Sequence, residues 1–204
     1  MNISHLKKYN SLQMINKLKK VILLNSEKTG KPIYVYKNAK IELKEININD
    51  LFPLQLYQLI SSNELVSNLY KIFKKKYNED IFEMEGYSTY TSSDKRYALV
   101  PPIIESIKDI KGEIKNIIID GLHRVILAKK LKKKTITVVV IENIPEKLNL
   151  PADSNTWAEL KIVKKAPESK NKRKWLVPPE KGYLYYRNYQ SVFQNVGKPR
   201  APKS

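Results

Sequence analysis

The run Ile117-Ile118-Ile119-Asp120-Gly121-Leu122-His123-Arg124-Val125-Ile126-Leu127-Ala128 constrains this chain more than any other segment. Three successive isoleucines between polar residues read as a short strand buried on both faces. Asp120-Gly121 then turns the chain, because glycine accepts backbone conformations closed to other residues. A helix is predicted from Leu122 to Leu131, with Val125, Ile126, Ala128 and Leu131 as its packing positions. Lys132 to Lys134 close it, and Thr135 to Glu142, rich in β-branched residues, reads as a second strand. The result is a strand–helix–strand unit over 114–144, joined by a right-handed crossover if the two strands are parallel.

The chemistry of such a turn follows from its geometry. The first N–H groups of a helix have no partner inside the helix, and the helix dipole is positive there. That end attracts phosphate before any side chain is counted. Gly121 and Leu122 would offer backbone N–H groups. His123 would add a donor or a proton relay, and Arg124 a fork for two phosphate oxygens. Asp120 would cap the helix, orient His123 or hold Mg2+. A histidine and an arginine in a helix's first turn stand at the electrostatically unfavourable end, which an anion would relieve. The plainer alternative is an Asp cap, a turn glycine and two solvent-facing cations.

Composition removes several function classes. The chain has 204 residues, no cysteine and only two histidines, His5 and His123. Disulfides, thiolate zinc sites, cysteine nucleophiles and a His-rich metal site are therefore excluded. The longest apolar runs, such as Val21–Leu24 and Val138–Ile141, fall far short of the roughly 20 residues of a membrane span. No signal peptide is read, so a cytoplasmic protein with no membrane partner is expected. The net charge is +18, which would draw DNA or RNA to a basic surface. An A/T-rich coding sequence would also enrich lysine, so both explanations stay open.

Along the chain, residues 4–24 place Leu6, Leu12, Ile15, Leu18 and Ile22 at helical spacing, with Ser4 as a cap. Ile33 to Tyr36 reads as a strand paired with a second strand over Ile41, Leu43 and Ile46. Helices are predicted over 53–61 and 63–77. Residues 78–98 lack a clean period and read as a long loop or irregular hairpin, in which Tyr87 and Tyr90 stack on a base or pack the loop down. The prolines make 99–105 extended. Three regions are expected: 1–40, an N-terminal helix and strand; 41–150, the central domain; and 151–204, a basic, aromatic-rich C-terminal extension whose residues from Gly197 on are expected to be disordered. Its aromatic and basic residues either cover the domain or stack on single-stranded nucleic acid.

The stretch from Ile117 to Leu131, with Thr135 to Ile141, resembles the ParB/sulfiredoxin superfamily, whose members carry His-Arg or Arg-Arg in a glycine-containing strand-to-helix turn. Glu45 to Pro53 and Pro101-Pro102-Ile103 extend the likeness over about 41–144. The resemblance implies an α/β (α+β) domain with a small mixed sheet and packed helices, and a nucleotide whose phosphates lie on the turn. Sulfiredoxin's catalytic cysteine precedes its His-Arg pair; here Leu122 stands there, which excludes sulfinic acid reduction. The free-serine kinases of the superfamily are similar, with an Asp-Gly-His-His-Arg turn. Three functions are then open. The leading one is an ATP-dependent phosphotransferase acting on a small hydroxyl-bearing acceptor, with ATP or another nucleoside triphosphate and Mg2+ near Asp120. The second is a nucleotide-gated DNA-binding protein. The third is a nuclease, which no carboxylate cluster supports. Asp120, His123 and Glu105 are the expected catalytic groups. Gly121, Leu122, His123 and Arg124 hold phosphate. Lys95 and Arg96 would reach phosphate or nucleic acid, or stand as solvated charges. Oligomeric state is not legible.

Overall fold

A computed structural model describes residues 3–109 and 111–196. In chain order the elements are β1 (Ser4–Asn10), α1 (Ser11–Leu18), β2 (Ile22–Leu23), β3 (Lys40–Asn47), β4 (Leu51–Pro53), β5 (Tyr57–Leu59) and α2 (Ile60–Tyr77). There follow β6 (Gly86–Ser92), β7 (Lys95–Leu99), β8 (Ile103–Lys108), β9 (Ile114–Asp120), α3 (Leu122–Lys130) and β10 (Thr135–Glu142). Four short strands complete the C-terminal region: β11 (Ala152–Asp153), β12 (Lys161–Val163), β13 (Lys174–Trp175) and β14 (Arg187–Asn188). The fold is α+β, as expected.

The centre is a five-stranded mixed sheet in the order β3–β10–β8–β9–β4. Its inner strands are buried on both faces over Ile103–Glu105, Ile117–Ile118 and Val138–Ile141, which is why these stretches read as mostly apolar runs, whereas the edge strand β3 alternates with charged residues. On β10, Val138 and Val140 face one core with Leu69 and Phe73 of α2 and Val125 and Ala128 of α3. Val139 and Ile141 face a second core with Met14 and Leu18 of α1 and with Tyr36, Tyr189 and Phe193. A three-stranded antiparallel sheet, β1–β6–β7, stands beside it. That sheet contributes Tyr90 and Leu99 to the first core and Tyr87 and Ala98 to the second.

The strand–helix–strand unit forms where expected, but its strands are not neighbours. β8 lies between them, antiparallel to β9 and parallel to β10. β9 and β10 therefore run in opposite directions, and the parallel-crossover rule does not apply.

Four expectations are corrected. The N-terminal helix covers only Ser11–Leu18; residues 4–10 form β1 because they pair with β6. Its cap is Asn10, whose side chain accepts from Gln13 N while Gln13 returns a bond to Asn10 N. Ile33 to Tyr36 makes no strand beyond one bridge from Tyr34 to Ile22, and β3 pairs with β10 instead. The stretch 53–61 is largely extended, drawn into ladders with β9 and β12. Residues 86–99 are a regular hairpin whose turn residues, Ser93 and Asp94, both have positive φ. The expectation of disorder from Gly197 onward lies outside the described residues.

The C-terminal region packs on the domain. β14 pairs with β2, and β12 with β5. Arg173 lies between the rings of Trp175 and Tyr186, 5.3 and 5.1 Å from their centroids.

Candidate functional site

β9 ends at Asp120 and α3 begins at Leu122, so the turn is Gly121 alone, with φ +85°. A side chain there would meet the Pro102 Cα at 2.8 Å and the Arg124 Nη2 at 3.0 Å. Two independent demands thus fix glycine: the left-handed backbone and the close approach of the Pro101-Pro102 segment. Gly121 O accepts from Arg124 N at 2.9 Å and Val125 N at 3.2 Å. Helix geometry leaves the Leu122 and His123 N–H groups without an acceptor inside the helix. No side chain caps α3, so Asp120 does not serve as its cap. The Leu122 side chain is buried in the core.

Arg124 is the unexpected member. Read from the sequence as a fork for phosphate or, in the plainer alternative, a solvent-facing cation, it is only 5% exposed. Its guanidinium folds back over Gly121. Nη2 stands 3.9 Å from the Asp120 Oδ2, and the buried Nη1 has no hydrogen-bond partner. Burial pulls its pKa below the ordinary arginine value, against the charge of Asp120 and the phenol of Tyr90. Asp120 keeps a quarter of its side chain exposed.

His123 ties the turn to a second helix. The Leu59 N–H donates to His123 Nε2 at 3.4 Å, and Leu59 ends β5 and immediately precedes α2 as its N-cap. The N-termini of α2 and α3 therefore meet at this imidazole.

The other expected residues lie apart. Glu105 is fully buried on β8. Arg187 donates to it twice, from Nε to Oε1 at 2.7 Å and from Nη2 to Oε2 at 2.8 Å, and Tyr36 donates its hydroxyl to Oε1 at 2.6 Å. The Tyr36 and Tyr189 hydroxyls are 2.8 Å apart. This carboxylate is spent on holding the C-terminal region and is turned away from solvent, which corrects its reading as a base or metal ligand. Burial, and then the charge of Glu105, push the Tyr36 and Tyr189 phenols well above their ordinary range. Lys95 and Arg96 are exposed on β7, in the other sheet. Tyr87 stacks on Tyr9, and Tyr90 packs against Phe73 and Tyr97. Among the described residues, no three His, Cys, Asp or Glu side chains converge on a metal position. A magnesium ion here would take one protein carboxylate, Asp120, and draw its other ligands from phosphate and water.

Leu59, Pro102 and Tyr189 were not read as parts of this region. Each belongs to it through a contact made far along the chain, which no local pattern announces. Only Pro102 carried a signal, in the extended Pro-Pro pair ahead of β8.

With this geometry in place, comparison with known proteins gives the family. The sequence matches the ParB CE domain over residues 13–161. No curated protein matches it. Among solved structures, the crystal structure of protein Atu1540 from Agrobacterium tumefaciens is similar at 18% identity, covering 50% of this chain and 40% of that one, with a TM-score of 0.29. The family match starts before the region expected at 41–150 and continues beyond it, taking in most of α1 and reaching β12. The chain belongs to the ParB CE domain family, in keeping with the ParB/sulfiredoxin character of its turn.

Proposed function

We propose that the Asp120–Arg124 turn holds the phosphates of a nucleotide, with ATP as the first choice, and that the protein transfers a phosphoryl group to a small hydroxyl-bearing acceptor. The observation that carries this reading is the Arg124 guanidinium: buried, folded over the turn and left with an unpartnered Nη1. A desolvated donor of this kind costs free energy unless an acceptor completes it. A phosphate oxygen at the start of α3 would do so, alongside the first N–H groups of the helix.

The roles follow from the contacts. Leu122 and His123 offer backbone donors, and the His123 imidazole stands beside them. Asp120 would hold Mg2+ with the phosphates. When bound, that ion neutralises charge on the transferring group. Transfer forms a bond from the acceptor oxygen to the terminal phosphorus, breaks the bond to the bridging oxygen of the leaving nucleoside diphosphate, and releases the acceptor's hydroxyl proton to water. Such a step asks the protein mainly for positioning and charge neutralisation. Glu105 has no part in it.

The test is thermal stabilisation by ATP, CTP and GTP, with and without Mg2+, on the wild type, Arg124→Gln and His123→Ala. At least one nucleotide should raise the melting temperature of the wild type, and Arg124→Gln should remove most of that gain. If no nucleotide stabilises the wild type, or if the gain survives Arg124→Gln unchanged, the reading fails.

A second reading, contact with DNA or RNA, has one observation in its favour. The lysine-bearing C-terminal ends of α2 and α3 lie together, since Lys74 and Lys133 both pair with Asp80, at 3.9 and 3.0 Å. Lys75, Lys76, Lys129, Lys130, Lys132 and Lys134 are exposed on the same two helix ends. Binding through them would weaken steeply with salt. A duplex affinity that is flat between low and physiological salt would dismiss it.

A further inference from the structure

A cavity of about 660 Å3 opens where β1 passes into α1 and the loop after α2 runs into β6. None of the residues from Asp120 to Arg124 lines it. Its volume falls in the range of small-molecule sites. The floor is apolar, built from Phe73, Ile81 and Leu99, all buried. One wall is rigid: Tyr9 and Tyr87 stack with centroids 4.4 Å apart and planes 5° from parallel. Gly86 holds that wall together, because a Cβ there would meet the Tyr9 carbonyl oxygen at 2.0 Å.

Two further features give the cavity chemical character. Ser88 lines it and is only 7% exposed. Its hydroxyl is a polar group on the cavity wall that can donate or accept a hydrogen bond. The rim carries Glu79, Asp80, Glu83 and Glu85 against a single lysine, Lys8. This is a local excess of negative charge in a chain whose net charge is +18. Lys8 pairs with Glu79, Lys74 and Lys133 with Asp80, and Lys133 also with Glu83. Glu85 forms no ion pair among the described residues and is exposed at the rim. An apolar floor, one hydroxyl and an unpaired carboxylate at the mouth define a complementary shape: an apolar body with a positively charged head.

We infer that this cavity is a second ligand site, separate from the turn, and that it takes a small organic ammonium compound. The apolar part lies on Phe73 and Leu99, the ammonium group is held near Glu85, and Ser88 accepts a hydrogen bond from it. The carboxylates on the rim disfavour the same cavity for phosphate, which they would repel.

The test uses 2-phenylethylammonium and 1,4-diaminobutane as probes, with neutral 2-phenylethanol as control, read by calorimetry and by amide shifts in two-dimensional NMR. At least one amine should bind at millimolar concentration or tighter, more tightly than the alcohol, and shift the amides of 79–88 while leaving those of 120–125 in place. Glu85→Gln alters an exposed side chain and keeps the fold; Ser88→Ala removes the hydroxyl and adds no volume. Each should weaken binding about tenfold, the loss expected for a hydrogen bond to a charged group, and Arg124→Gln should not change it. The inference is overturned if neither amine binds, if the alcohol binds as well as the amines, or if affinity is unmoved in Glu85→Gln.

Discussion

Arg187 and Glu105, 82 positions apart in sequence, form a two-bond ion pair buried from solvent. Arg187 also donates to Tyr185 O at 2.6 Å and Leu148 O at 2.7 Å, which uses its remaining donors well. Burial alone would lower the arginine's pKa; the charge of Glu105, ahead of Tyr36, raises it instead. Removing one partner leaves the other charged and desolvated, which costs about 3–5 kcal/mol. Arg187→Met should therefore lose roughly that much stability in urea unfolding. The double variant Glu105→Gln, Arg187→Met should recover a good part of the loss, because the stranded carboxylate is gone.

Gly121→Ala should cost more than an alanine at an open glycine of similar backbone. The left-handed conformation alone costs of the order of 1–3 kcal/mol in a non-glycine residue. Gly112 shares the positive φ, +83°, but a Cβ there has nothing within 4 Å, whereas at Gly121 it meets the Pro102 backbone. Comparing the two alanine variants by thermal unfolding isolates the clash. Equal losses would show that Pro102 moves aside freely.

Acid should loosen the 156–174 region early. Lys174, together with the Thr156 backbone, holds the Glu159 carboxyl down to about 2, below its ordinary 4.5. A lowered carboxylate pKa contributes stability that is present above about pH 4.5 and is lost as pH falls toward about 2. The pair is solvent-exposed, so the effect is small. Glu159→Gln should flatten this part of the pH–stability curve, and amide exchange at 156–161 should report it.

Alkali should act through the buried phenols. Burial pushes Tyr90 up to about 12, and Tyr36 and Tyr189 rise as well. A raised phenol pKa contributes stability present below about pH 10 and lost as pH climbs through the folded value. Tyrosine absorbance should therefore titrate in two stages, with the buried set ionising together with unfolding. Tyr36→Phe keeps the ring and should shift the later stage.

The strand–helix–strand unit was legible because everything that makes it is local: three isoleucines, one glycine and a β-branched run. β3 was legible as a strand, but its partner was not, since the choice of β10 is made across 88 or more positions of chain. At the N-terminus, Leu6 was read into the helix that holds Leu12, yet the ladder with β6 makes residues 4–10 a strand. The Asn10–Gln13 capping box was present in the letters as Asn-Ser-Leu-Gln and marks the true helix start. The hairpin at 86–99 hid behind polar aromatic strands and a Ser-Asp turn in place of the usual Asn-Gly or Asp-Gly. The candidate turn was read correctly as a turn. That Arg124 faces inward, and that Glu105 belongs to Arg187, depend on packing that no local pattern encodes.

The pairing of Arg187 and Asn188 with Leu23 and Ile22 has a consequence for biosynthesis. The second core needs Tyr189 and Phe193, and the Glu105 carboxylate needs its arginine. On the ribosome, the sheet and α3 emerge well before these residues clear the exit tunnel. Until then the second core lacks Tyr189 and Phe193, and Glu105 lacks its arginine. Final closure is therefore a late event, set by the arrival of residues 187–193 rather than by the sheet's own pairing.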